Sequence, residues 1–233
     1  MTTFSERLAA VEERIDAACR RTNRDRGSVR LMAVSKTRPA ALICEAVAAG
    51  VTLFGENRVQ EFEAKRTELP AGIEVHLIGH LQSNKAAKAA AIFSGIDTVD
   101  SLRLLDRLEE AARREQKQLP VLLEIKLSEE EAKTGFAPES AELQVVLERA
   151  VDLQNVAVRG LMTVAPFDGN PETARLCFRE LRKMRRAFTH RHPRVNFDEL
   201  SMGMSGDFEI AIEEGSTLVR IGTALFGARE RRG

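Results

Sequence analysis

The residue best placed for covalent chemistry is Lys36, which follows the apolar run Leu31-Met32-Ala33-Val34 and Ser35. Desolvation at a strand end lowers an amine's pKa and raises its neutral fraction, the form that condenses with an aldehyde or ketone to give an imine. The competing reading is a strand-end lysine whose stem covers apolar surface while its head reaches water. A second signal is Ser201-Met202-Gly203-Met204-Ser205-Gly206-Asp207, a glycine- and serine-rich turn leading into a short helix that begins near Asp207. Backbone N–H groups exposed in such a turn bind anions, and Gly222-Thr223 adds a second loop of small and hydroxylated residues suited to phosphate. A tight turn followed by a helix cap has the same composition. Arg220 lies between these loops inside Leu218-Val219-Arg220-Ile221. A guanidinium in such a run needs a partner, either within the site or, facing outward, in a salt bridge to a helix. His80 and Asn57 end two earlier apolar runs, where each alone also reads as a hydrogen-bonded structural histidine and a helix-capping asparagine.

These residues need a scaffold that gathers strand ends, and the chain alternates short aliphatic runs with segments of helical period from end to end. An opening helix with apolar Phe4, Leu8, Val11, Ile15 and Ala18 is followed by expected strands at Arg30–Ser35, Val51–Gly55, Glu74–Gly79, Ile96–Val99, Val121–Leu127, Val156–Val164, Phe197–Met202 and Thr217–Ile221. Helix starts are marked by Pro39, by Pro138 and by Asn170 with Pro171. The sixth crossover helix carries Ala174, Cys177, Leu181, Met184 and Phe188 on one stripe. Eight βα repeats predict a single-domain α/β fold over residues 1–233, a (β/α)8 barrel whose chemistry sits at the C-terminal strand ends. An open doubly wound sheet would show a GxGxxG turn after the first strand, where this chain has Ser35-Lys36-Thr37-Arg38-Pro39.

Composition narrows the function classes. Thirty-five basic and 35 acidic residues cancel, and clusters such as Arg182, Lys183, Arg185 and Arg186 lack interleaved aromatics for stacking bases, so no nucleic-acid partner is expected. The 3 cysteines, Cys19, Cys44 and Cys177, form no CxxC pair, which argues against a disulfide framework or zinc site and suits a reducing compartment. No apolar run approaches the roughly 18 residues needed to cross a bilayer, and nothing resembles a signal peptide, so a cytoplasmic protein without membrane contact is expected. The sequence contains neither tyrosine nor tryptophan, which removes a common catalytic acid.

An imine-forming lysine, a phosphate site after strands seven and eight and an arginine between them describe a cradle for pyridoxal 5'-phosphate. The stretches Ala33-Val34-Ser35-Lys36, Phe54 to Glu61, His76 to Lys85, Gly160-Leu161-Met162-Thr163, Leu200 to Ser205 and Arg220 to Gly227 resemble the pyridoxal phosphate homeostasis protein family over roughly residues 30 to 227. That family looks like the isolated barrel domain of alanine racemase without its C-terminal β domain. The resemblance implies an internal aldimine on Lys36, phosphate held by Ser201, Gly222 and Thr223, and Arg220 facing the pyridine nitrogen. It further implies a pocket lined by Asn57, His80, Met162, Met204 and Ser205, with no metal. It also implies a role in vitamin B6 balance by reversible holding of the cofactor and delivery to apo-enzymes that use it, without robust turnover. Two rivals stay open: a pyridoxal phosphate-dependent amino-acid racemase or related enzyme, and a cofactor-free Schiff-base aldolase-type barrel. The racemase to which the resemblance points needs, opposite the lysine, a tyrosine brought by the extra domain of a partner subunit. No self-complementary appendage is evident, so a monomer is expected.

Overall fold

The computed structural model describes residues 2–128, 134–166 and 169–228. In chain order its elements are α1 (Phe4–Arg21), β1 (Arg30–Val34), α2 (Ala40–Ala48), β2 (Leu53–Glu56), α3 (Val59–Lys65), β3 (Glu74–Leu77), α4 (Ala86–Ile92), β4 (Gly95–Val99), α5 (Leu102–Arg114), β5 (Leu119–Glu124), α6 (Ala141–Arg149), β6 (Val156–Met162), α7 (Pro171–Arg191), β7 (Glu199–Met204), α8 (Phe208–Glu213), β8 (Leu218–Ile221) and α9 (Thr223–Phe226). The strands pair in parallel and in sequence order, and β1 closes on β8 with Ala33 opposite Ile221. This is the expected (β/α)8 barrel.

Local chemistry sets the helices. Thr3 and Glu6 form a reciprocal capping box on α1. Asn170 caps α7 by accepting from the Glu172 N–H at 3.0 Å, with Pro171 in the first turn. The stripe Ala174, Cys177, Leu181, Met184 and Phe188 is buried as the spacing predicts. Because α9 has only 4 residues, α1 completes the outer layer. Its Phe4 ring lies 5.3 Å from that of Phe226, and Arg14 pairs with Glu209 of α8 at 2.8 Å. Most of the core lies between strands and helices, and a small separate cluster of Met32, Leu53 and Leu218 fills the barrel interior.

Three strand boundaries move in ways that matter to the site. The first strand stops at Val34, so Ser35 and Lys36 belong to a turn closed by the Arg38 N–H on Ser35 O at 3.0 Å. The fifth runs Leu119–Glu124 rather than Val121–Leu127, with only an isolated bridge from Ile125 to Phe136 beyond it. The seventh runs Glu199–Met204 rather than Phe197–Met202. Phe197 is apolar because it packs on Phe188 of α7 at 5.8 Å, not because it is strand. The shift takes Gly203 into the strand. Its φ of +95° and the space 2.5 Å from Ala211 Cβ that a Cβ would occupy leave no room for a side chain.

One carboxylate joins the helical layer to the sheet. Glu109 of α5 accepts from the backbone N–H groups of Gln154, Asn155 and Val156 and from the Asn155 amide, at 2.8–3.1 Å. Partial burial works against its charged form, but the bonds from the Asn155 side chain and the three N–H groups outweigh this and hold the carboxyl below the ordinary glutamate value. A folded-state pKa below the unfolded one stabilises at neutral pH, and the contribution disappears as pH falls through the folded value. Glu109→Ala is therefore expected to cost about 2 kcal/mol at pH 7 in urea titrations, with the gap to wild type closing below about pH 4. A gap that does not depend on pH would contradict this account.

Candidate functional site at the C-terminal mouth of the barrel

The ends of β7 and β8 build a nest of backbone donors. After Met204 the chain turns through Ser205–Asp207, with Asp207 Oδ1 accepting the Met204 N–H at 2.5 Å and the Asp207 N–H returning to Met204 O at 3.1 Å. Gly222 and Thr223 follow β8 directly. The N–H groups of Gly222 and Ala224 converge on the Ser205 hydroxyl oxygen at 3.2 and 3.3 Å. Ser205 thereby satisfies two main-chain donors at the start of α9, as a helix cap does; donors of this kind at this corner of a barrel also suit an anion. Gly222 lies against Val34, with the position of its missing Cβ 3.5 Å from Val34 Cβ, so the nest adjoins the strand that leads to Lys36. Thr223 is exposed at the nest's rim.

Ser201 does not share this turn, contrary to its expected grouping with Gly222 and Thr223. It lies within β7, wholly buried, with its hydroxyl accepting from Arg220 Nη1 at 2.6 Å. Ser205, expected only to line the pocket, supplies the hydroxyl at the nest. Alternation explains the difference. Leu200 and Met202 belong to the core beneath the helices, which turns the intervening Ser201 toward the interior, beside Arg220.

Arg220 is 4% exposed, which rules out an outward-facing arginine on a helix salt bridge. Its second amino group, Nη2, donates to Thr163 O at 2.8 Å, so the guanidinium is fixed from β6 and β7 together. Burial pushes its pKa down, opposed by the fields of Asp97, Asp207 and Glu124; an arginine so placed stays charged.

Lys36 is half-buried in the β1 turn. Its neighbour Thr37 has a φ of +63°, an unusual conformation for a β-branched residue. Asn57, after β2, is half-buried, and its Oδ1 is shielded from solvent without a hydrogen-bond partner. Gly79 allows this approach, since a Cβ there would stand 2.3 Å from Asn57 O. Met162 at the end of β6 is buried and Met204 at the end of β7 half-buried. His80 is exposed, and its Nδ1 meets Asp100 Oδ2 at 2.9 Å.

Three contributors to the mouth escape the sequence reading as site residues. Asp100 follows β4 directly and is visible by the same strand-end rule that picks out His80. Glu124, the last residue of β5, accepts from the Thr134 hydroxyl at 3.0 Å. Its burial raises its carboxyl above the ordinary value, with Asp100 adding to that effect and the Thr134 bond, Arg220 and His80 opposing it. The Ala224 N–H is a backbone donor and has no side-chain signature. Among the described residues no His, Cys, Asp and Glu cluster could hold a metal ion, and no helix is long and apolar enough to cross a membrane.

Residues 7–230 match the family model described as alanine racemase, N-terminal domain. The pyridoxal phosphate homeostasis protein of Aquifex aeolicus is 43% identical over 226 residues, covering 97% of this chain and 98% of that protein. The structure of PipY from Synechococcus elongatus with pyridoxal phosphate bound superposes with a TM-score of 0.85 at 40% identity, covering 97% of this chain and all of that one. An alanine racemase from Clostridium difficile, 16% identical, shares the barrel with a TM-score of 0.69; the match covers 94% of this chain and 56% of the racemase.

Proposed function

The chain belongs to the alanine racemase N-terminal-domain family and, within it, to the pyridoxal phosphate homeostasis proteins, and from that membership we propose that it binds pyridoxal 5'-phosphate reversibly at the barrel mouth. The observation that carries this reading is the pair of N–H groups from Gly222 and Ala224 converging on Ser205 beside the strand that leads to Lys36. The donor set fits the cofactor. Main-chain donors with the Ser205 and Thr223 hydroxyls suit the phosphate, a half-buried amine at Lys36 suits the aldehyde, and Arg220, tied to Ser201, suits the unprotonated ring nitrogen. Asn57, with its unpartnered Oδ1, and His80, Met162 and Met204 line the remainder. When bound, the cofactor supplies an aldehyde that condenses with primary amines. The protein's own residues hold its phosphate, present the Lys36 amine and limit access by free amines. The reading takes residues 1–233 as one domain, a cytoplasmic monomer that keeps vitamin B6 in balance and hands the cofactor to apo-enzymes.

Phosphate contributes most of the non-covalent affinity in this arrangement, because charge-assisted bonds from N–H and hydroxyl groups to a dianion are each worth about 1.5–3 kcal/mol. Pyridoxal is therefore expected to bind at least roughly a hundredfold more weakly than pyridoxal phosphate when both are titrated against the visible band. Equal affinities would remove the basis for assigning the nest. A protein that never acquires a visible band would point instead to the cofactor-free aldolase.

A further inference from the structure

Beneath the turn that carries Lys36 lies a buried cation with no part in the site described above. Lys65, at the end of α3, is 8% exposed. Its Nζ donates to Ser35 O at 3.2 Å and Arg38 O at 3.1 Å, and it stands 2.7 Å from Glu56 Oε1 and 3.4 Å from Glu61 Oε1. These two carbonyls flank Lys36 and Thr37. The same two carboxylates enter the turn a second time, since Glu56 Oε1 accepts from the Ser35 hydroxyl and Glu61 Oε1 from the Thr37 backbone N–H. Thr37 itself, with its φ of +63°, is in a conformation that persists only where the surroundings over-determine it. A buried ion pair of this kind adds little net stability, whereas removing one partner alone leaves the other charge buried and uncompensated. Here Lys65 Nζ and Glu56 Oε1 both hold on to the same turn, while Glu56 Oε2 has no hydrogen-bond partner among the described residues.

We infer that Lys65 is a positioning residue for Lys36: by tying both flanking carbonyls to Glu56 and Glu61, it fixes the direction from which the Lys36 amine meets an aldehyde. The consequence for cofactor binding rests on the function proposed above. The effect on the amine itself does not.

The test compares wild type with Lys65→Arg, Glu61→Gln and the paired Lys65→Met/Glu56→Gln, which removes both buried charges together. In cofactor-free protein, trace reductive methylation with formaldehyde, followed by peptide mass spectrometry, reads the reactivity of Lys36 relative to the exposed Lys183 across pH. With pyridoxal phosphate added, growth of the visible band reads the rate of attachment. The paired variant is expected to unfold cooperatively yet change the Lys36-to-Lys183 ratio and slow attachment, each on the order of tenfold. Lys65→Arg, which keeps the charge, is expected to recover part of both. An unchanged ratio in folded variants overturns the inference. Should the paired variant not fold, Glu61→Gln, which weakens the hold on the Thr37 N–H, gives the same readout, and an unchanged ratio there is equally decisive. If wild-type Lys36 never takes the cofactor while the ratio still responds to Lys65, the positioning role stands and the functional reading falls.

Discussion

Lys36→Ala is expected to leave the barrel folded and to abolish covalent attachment of pyridoxal phosphate, with both the visible band and the borohydride-trapped mass increment lost. Folding survives because Lys36 occupies a turn, and the contacts that hold this turn run through the Ser35 and Arg38 carbonyls, the Thr37 N–H and the Ser35 hydroxyl. Removing a half-buried side chain there leaves those bonds in place. Attachment fails because the other described lysines are differently placed. Lys65 is committed to Glu56 and two carbonyls, and Lys117 donates to Phe93 O at 2.8 Å. Lys85 belongs to a short helical turn before α4, and Lys126 lies past the end of β5. Lys88 pairs with Glu63 and Lys183 with Glu180, whereas Gly222 lies against Val34 of the strand that leads to Lys36; Lys133 lies outside the described residues. Weak phosphate-directed binding without a covalent increment is the expected residue of function. A trapped increment found on Lys85, Lys126 or Lys133 in the wild type would falsify the assignment.

How much of this is legible from residues alone differs by element. The barrel is legible because each βα unit carries its own local signals: an aliphatic run, a cap such as Asn170 with Pro171, and a stripe such as Ala174 to Phe188. The phosphate corner is legible as a composition but not in its register. Ser201 and Ser205 share one glycine-rich stretch, and only the alternation of Leu200 and Met202 toward the core separates an interior hydroxyl from the one at the nest. Phe197 misleads for a related reason, since one buried aromatic in a loop looks the same as the first residue of a strand. The Lys65 network leaves no periodic trace at all. It joins residues 21 and 30 positions apart through a helix end and two strand ends, and such pairings are fixed only once the barrel closes.

Turnover of amino acids is expected to stay at least about a thousandfold below the enzymatic median of about 10 per second, and the reason lies in two features of the mouth. The first is Arg220. Fixed on Ser201 and Thr163 O, it presents a permanent cation where the ring nitrogen is proposed to lie, and a second positive charge beside it is disfavoured. An unprotonated ring withdraws little electron density from a bound amino acid. Glu124 does not reverse this, since burial raises its pKa and its carboxylate is engaged by Thr134. The second feature is the supply of bases. Proton exchange on both faces of a bound amino acid requires one group on each side. In the reading proposed above Lys36 would serve one, and the sequence has no tyrosine for the other. The His80–Asp100 pair is a further acid–base candidate, and it favours the rival enzymatic reading, because Asp100 engages Nδ1 of an exposed imidazole and leaves Nε2 outside that contact. The exposed His80 ring gains little from desolvation, however, and a missing general base costs about 10² to 10⁴ in rate. Racemase and transaminase assays over a panel of amino acids, run on wild type, His80→Ala and Lys36→Ala, decide between the readings. Trace rates insensitive to His80→Ala fit cofactor holding. Sustained turnover near the enzymatic median, lost in both variants, would make this barrel an enzyme and assign His80 as its second base.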